Sequence, residues 1–349
     1  MSVSGTANYE YVVARVRHRR ASLFGEEEYR KLLRMGPGEI ARFMEETEYE
    51  DEINALGSRY DGVDLIEFAL HENIAKHFDD LLRWSTGRLY ELVARYLRKF
   101  DAWNAKTVLR GKFSDASEET IREDMIDAGE FDDTFLSSLV AADSVERVVE
   151  LLSDTILGPG LEEAFDEYEE TGLLVPLENA IDRAYYQELV SEDLRGGQAV
   201  RLYQKFLEAE IDFRNMQNVL RIQRSGADID PADYFIDGGS VFDESEIRAI
   251  AGSREELVAL IRDSRYGEDL EEALDDLEGA ESLIAFERAL DAALVAYSDH
   301  LSHVYPLSVC PVLAYVLAKE REVDNIRAIA RGHEAGLPRE LIEAELVNL

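Results

Sequence analysis

A chain of 349 residues with 74 acidic and 37 basic side chains, net charge −37, is long enough to bury a sizeable core and is repelled by polyanions. Direct binding to nucleic-acid phosphate is therefore disfavoured, and the even spread of acid along the chain argues against a single acidic interaction arm. Only 7 of the basic residues are Lys and 30 are Arg. A carboxylate coat poor in lysine suits a protein kept soluble in molar salt, where a Debye length of about 3 Å screens self-repulsion; the plainer alternative is an ordinary acidic cytosolic protein.

In chain order, the N-terminal NYEYVVARVRHRR lacks a basic-then-apolar leader, so no secretory signal is expected. Breaks are predicted where Gly and Pro gather, at Gly36-Pro37-Gly38, Gly158-Pro159-Gly160, Gly196-Gly197 and Gly238-Gly239. Between them the apolar spacing is helical. Leu283, Phe286, Leu290, Leu294, Tyr297, Leu301 and Val304 follow three-and-four spacing, residues 141–152 and 255–261 read similarly, and strand-like alternation is scarce. The uncharged run 300–318 contains Pro306, Pro311, His300 and His303, which reads as a buried turn between two helices and not as a membrane span. Cys310 is the only cysteine, so no intrachain disulfide can form.

Three markers recur in one order. An acid, an Asn three places on and an Arg nine places on from the acid occur as Asp101, Asn104 and Arg110, as Asp212, Asn215 and Arg221, and as Glu322, Asn325 and Arg331. The acids are 111 and 110 residues apart. A Glu-x-Ala-(Leu/Ile) core starting at Glu67, Glu178 and Glu287 precedes them by 34, 34 and 35 residues, and Phe131-Asp-Asp and Phe242-Asp-Glu are 111 apart. Asn8, Tyr11 and Arg17 give a degraded form of the triplet near the N-terminus. This concordance predicts a threefold internal repeat, with units near 1–110, 111–221 and 222–349. The period is too long for small solenoid repeats of roughly 20 to 50 residues. Three bundle-like lobes are expected, in a line or closed about an axis.

On a helix the acid and the Asn share a stripe with Ala105 and Val108, with Met216 and Val219, or with Ile326 and Ile329. A polar group there is costly unless partnered. Each acid–Asn pair is therefore expected to lock its helix to a neighbour, with the Glu-x-Ala helix the first choice. The Arg, on the far face, either reaches an adjacent unit or only caps and solvates its own helix end. Gly111 and Gly332 are placed to end their helices. Three equivalent copies point to architecture, since an active site needs one asymmetric arrangement.

No chemistry-bearing motif survives inspection. Arg110-Gly-Lys112 lacks the rest of a phosphate loop, Gly158-Pro-Gly160 lacks the third Gly of a dinucleotide fingerprint, and His71-Glu72 lacks the second His of a zinc helix. His300 and His303 have no supporting cluster, and Tyr185, Tyr186, Phe206 and Phe213 read as core. No catalytic, cofactor-binding or metal-ligating residue is nominated.

The runs KFDAWNAKTVLRGKF, AEIDFRNMQNVLR and VLAKEREVDNIRAIARGHEAGLP, with the opening YEYVVARVRHRRASLF, resemble the C subunits of the archaeal A-type ATP synthases, relatives of the d subunits of vacuolar ATPases. The resemblance runs from about Tyr9 to Leu346; the acidic coat and the Arg-for-Lys bias depart from it. It implies an all-α fold of three similar lobes about a pseudo-threefold axis, shaped as a funnel. It further implies a non-catalytic rotor part on the cytoplasmic face of the membrane, peripheral to it, whose partners are the rotor ring and the central stalk. It carries over no catalytic residue. A soluble helical-repeat scaffold is the competing reading.

Overall fold

The computed structural model describes residues 6–190, 197–225, 230–250, 253–268, 270, 271, 274, 275 and 283–347. The fold is all-helical, as the three-and-four spacing of apolar residues requires. After α1 (Tyr9–Arg20) comes a series of three short helices, α2 (Glu26–Leu32), α3 (Pro37–Met44) and α4 (Glu50–Leu56). The long α5 (Gly62–Trp84) follows, then α6 (Gly87–Leu97) running into α7 (Lys99–Phe113), and the short α8 (Glu118–Glu123). The order then recurs. Three short helices, α9 (Asp133–Val140), α10 (Val145–Leu152) and α11 (Leu161–Thr171), lead to the long α12 (Val175–Val190) and α13 (Gln198–Ser225) and a 3-10 turn at Pro231–Tyr234. It recurs once more as α14 (Glu244–Ile250) and α15 (Arg254–Asp263), then the long α16 (Leu283–Val304) and α17 (Cys310–Glu334) and the short α18 (Arg339–Ala344).

Local chemistry sets many of the helix starts. Asp132, Ser144 and Ser253 accept from the backbone N–H three residues on, the usual N-cap bond. Gly36 precedes Pro37 at the first position of α3, and Glu39 Oε2 accepts from the Gly36 N–H at 3.1 Å. Burial then selects the inner face of each helix. One continuous apolar core runs from Val12 to Leu346, and Tyr185, Tyr186, Phe206 and Phe213 lie within it. Each such ring taken from water stabilises by about 1.5–3 kcal/mol before entropy is counted.

Four details differ from the sequence reading. Residues 141–152 are not one helix, because Ser144 caps α10 and separates it from α9. The turn 305–309 is largely at the surface, with Val304 and Leu307 exposed, and burial begins at Ser308 and continues along α17. On α16, Leu290, Leu294 and Leu301 are buried but Val304 is not; the side chains of Leu283 and Phe286 lie outside the described residues. Gly111 and Gly332 do not end their helices, which run on to Phe113 and Glu334. Among the described residues no helix is long and apolar enough to cross a membrane.

Candidate functional site

The recurring triplet sits on the second long helix of each series, α7, α13 and α17, starting in the first turn of α7 and near the middle of the other two, and its acid is buried each time. Each acid grips the backbone that opens the next series. Asp101 accepts from the N–H of Glu130 and of Phe131, both at 2.9 Å. Asp212 Oδ1 accepts from the N–H of Ser240 at 2.7 Å and of Val241 at 3.0 Å. Glu322 reaches back to the first series, accepting from the Phe24 N–H at 2.5 Å. The bound segments lead directly into α9, α14 and α2. The Phe131-Asp-Asp marker thus begins at a residue that Asp101 holds, and Phe242-Asp-Glu directly follows the two that Asp212 holds.

Two covarying features explain why the third acid is Glu. A Cβ on Gly129 would lie 1.9 Å from Asp101 Oδ1, and one on Gly239 would lie 2.3 Å from Asp212 Oδ1. With Asp the backbone must come close, and only Gly fits beside it. In the closing copy Leu23 precedes the bound Phe24 N–H, and the extra methylene of Glu322 spans the greater separation. Glu322 also accepts from the Tyr49 hydroxyl at 2.6 Å and from Lys319 Nζ at 2.7 Å, while Lys319, fully buried, makes a second ion pair with Glu48 at 2.7 Å. Tyr266 does for Asp212 what Tyr49 does for Glu322, donating its hydroxyl at 2.9 Å. Burial and the adjacent carboxylates hold both tyrosines protonated.

The Asn of each triplet makes one two-way bond. Asn104 Nδ2 donates to the Ile126 carbonyl at 2.8 Å while its Oδ1 accepts from the Ile126 N–H at 2.9 Å. Asn215 does the same with Ile236, at 2.9 and 3.0 Å, and Asn325 with Val347, at 2.9 and 3.0 Å. The acid and the Asn therefore lock loops, and not the Glu-x-Ala helix as the sequence reading had it. A buried loop segment has unpaired peptide groups to satisfy, whereas the backbone of a long helix has none.

The Glu-x-Ala helix is met instead by residues five and nine places after the acid. Lys106 donates to Asp182 at 2.6 Å, Gln217 to Asp291 at 2.6 Å, and Arg327 Nη2 to His71 Nε2 at 3.1 Å. Burial and Arg327 hold the His71 pKa below its ordinary value, which keeps the imidazole neutral and able to accept. Arg110 donates to Glu178 at 2.6 Å, and Arg331 lies 3.4 Å from Glu67, which Arg327 also binds. The Arg221 side chain lies outside the described residues. Glu287 stands on α16 at the place that Glu178 and Glu67 hold on α12 and α5. Gly111 and Gly332 serve packing: a Cβ there would lie 2.3 Å from Ile121 and 2.7 Å from Ile342.

Helix α7 thus packs on α12, α13 on α16, and α17 on α5. These helices line a cavity of about 400 Å³. Its wall includes Lys99, Glu210 and Glu320, each two places before a triplet acid, with Trp103, Arg214 and Asp324 two places after. Lys99 binds Glu320 at 2.8 Å, and burial pushes the Glu320 carboxyl up from its ordinary value. The wall mixes charged groups with apolar ones such as Ile74, Phe100, Leu294 and Leu317; this is an internal junction and offers no set of groups arranged for catalysis. His303 Nδ1 lies 2.8 Å from the Asp299 carbonyl on the surface, and no group of three or more His, Cys, Asp or Glu among the described residues could hold a metal ion.

Comparison with known proteins adds a family. The family described as ATP synthase (C/AC39) subunit matches residues 12–345. A protein of Haloferax volcanii, named as the C subunit of the A-type ATP synthase, is 64% identical over 349 residues, covering all of both chains. A protein of the same name from Halobacterium salinarum is 61% identical over 352 residues, again covering all of both. One from Methanococcoides burtonii is 37% identical over 345 residues, 98% of this chain and 95% of its own. The relatives at 61–64% identity are haloarchaeal, in keeping with the acidic, lysine-poor surface.

Proposed function

The chain belongs to the ATP synthase (C/AC39) subunit family, whose members here are non-catalytic parts of a rotary ATP synthase, and on that premise we propose that it is the piece of the central rotor that joins the membrane ring to the central stalk. In this reading, proton or sodium flow turns the ring, and the chain passes the rotation to the stalk and so to ATP synthesis. It sits at the cytoplasmic face of the membrane without spanning it. The units near 1–110, 111–221 and 222–349 are its three lobes, set about a pseudo-threefold axis, with the continuous helices α7 and α13 running through the two boundaries.

One observation carries the proposal: each long helix is locked to the next series from corresponding positions, and the third locks back onto the first. Glu322 to Phe24, Arg327 to His71 and Arg331 to Glu67 repeat what Asp101, Lys106 and Arg110 do 221 residues earlier. A coupling part under torque must not shear between lobes. A body closed in this way has no free edge at which sliding can begin, and buried polar pairs fix the register of its helices. The ring-facing side is expected to make apolar and basic contacts and the inner wall to grip the stalk, apolar and hydrogen-bonded contacts dominating because molar salt screens exposed ion pairs.

The test is affinity purification of the tagged chain from native membranes in molar potassium chloride, followed by mass spectrometry. Recovery of a small apolar ring subunit together with stalk and nucleotide-binding head subunits is expected. Recovery from the soluble fraction, alone or with unrelated proteins, would favour a free helical scaffold.

A further inference from the structure

The three junctions are alike in chemistry but not in connectivity. The main chain crosses the first junction through α7 and α8 and the second through α13 and the 3-10 turn. No peptide bond crosses the third, where α17 meets α5 and the segment 23–25; its paired residues are 238 to 298 positions apart in sequence. A tether of a few residues keeps two faces at high effective concentration, and a tether of hundreds does not. The third junction, like the first, is rich in polar contacts. Lys319, Glu48, Glu322 and Tyr49 form one buried network, and His77 pairs with the Tyr315 hydroxyl beside it. A polar junction parts and re-forms in water more readily than an apolar one.

One helix lies across this seam. Helix α1 precedes the repeated series and, with its N-cap Asn8, carries only the degraded form of the triplet, Asn8, Tyr11 and Arg17. It buries Val12, Val13 and Val16 and packs on both α17 and α5. Consecutive arginines then tie it to the two sides, Arg19 to Asp80 on α5 and Arg20 to Asp299 on α16. Its leading end is fixed to the first series, since Asn8 donates to the Trp84 carbonyl at 2.7 Å and accepts from the Thr86 N–H at 3.0 Å. Arg15 and Arg19 cover the Trp84 ring at 5.1 and 4.6 Å.

We propose that α1 is a strap holding shut the one junction that the chain does not cross, and that its release opens the body at the seam between α17 and α5 and nowhere else. Such a seam lets a closed three-lobed body admit a partner segment to its axial cavity and then close around it. The inference rests on the order of the repeats and not on the rotor role, and it is tested on the full chain without partner subunits, so either can fail alone.

The experiment is pulsed electron paramagnetic resonance in molar potassium chloride, in a Cys310→Ala background. Spin labels are placed at Asp79 and His300, exposed on the two sides of the seam, and in a second sample at Glu91 and Gln187, exposed across the first junction. Val13→Asp puts a charge into the packed face of α1, and its release is read from Trp84 emission in a Trp103→Phe background. The expected result is a second Asp79–His300 population longer by roughly one helix diameter, about 10 Å, with the Glu91–Gln187 distance unchanged. An unchanged Asp79–His300 distance on release of α1, or equal lengthening of both distances, overturns the proposal. Should Val13→Asp prevent folding, Arg19→Ala with Arg20→Ala loosens the same strap from its two anchors and is judged by the same distances.

Discussion

Asn104 has both amide atoms committed to one buried peptide unit. Replacing it by Leu leaves the Ile126 N–H and carbonyl without partners in the core. Each orphaned group costs about 1–3 kcal/mol, so Asn104→Leu is expected to lower stability by roughly 2–4 kcal/mol, against about 0.5 kcal/mol or less for Asn54→Leu on the exposed face of α4. Equal denaturation midpoints for the two variants would remove the bond from the account. Asp101 makes a pH prediction. Burial raises its pKa from the ordinary 3.8 to about 6, the N–H groups of Glu130 and Phe131 only partly offsetting this. The native state then holds the proton more tightly than the unfolded chain. The stability that Asp101 contributes is complete below pH 3.8 and is lost as pH rises through 6. In molar salt, the stability of the parent minus that of Asp101→Asn should fall by roughly 2–3 kcal/mol from pH 4 to pH 6. A flat or rising difference has the wrong sign for a raised pKa.

Helices α7 and α17 run two residues past a Gly that looks like a terminator, because what limits that position is the next helix and not the local backbone. An exposed Gly→Ala change in a helix interior gains about 1 kcal/mol from propensity. At Gly111 the new methyl meets Ile121 at 2.3 Å, and overpacking costs about 1–3 kcal/mol, so the clash wins. Gly111→Ala is therefore expected to destabilise and Ile121→Ala in the same chain to recover part of the loss, with a coupling of about 1 kcal/mol or more in a double-mutant cycle. Additive effects would mean that α8 moves aside freely. The repeat was legible at this scale from Asp101, Asp212 and Glu322. A further signal, Gly129 and Gly239 at 28 and 27 residues after the acid, would have located the segments those acids hold. It is readable only once the close approach is known.

For the whole molecule, charge and closure act in opposition. With 74 carboxylates against 37 cations, lowering potassium chloride from molar to 10 mM lengthens the Debye length from about 3 Å to about 30 Å and brings distant carboxylates into mutual repulsion. The melting temperature is expected to fall steeply over that range, although exposed pairs such as Arg110–Glu178 strengthen; a rise would mean that local pairs outweigh net charge.

The sequence alone determined the helical class, the threefold period and the burial of an acid and an Asn in each unit, since these follow from spacing along a helix and from side-chain chemistry, both local. Tertiary structure decided what those residues hold. The partners of Asn104 and Asp101 lie in loops 22 to 30 residues away, Glu178 lies 68 from Arg110, and Phe24 lies 298 from Glu322. No pattern along the chain encodes such distances, because the next series is brought to each long helix only when the whole core closes.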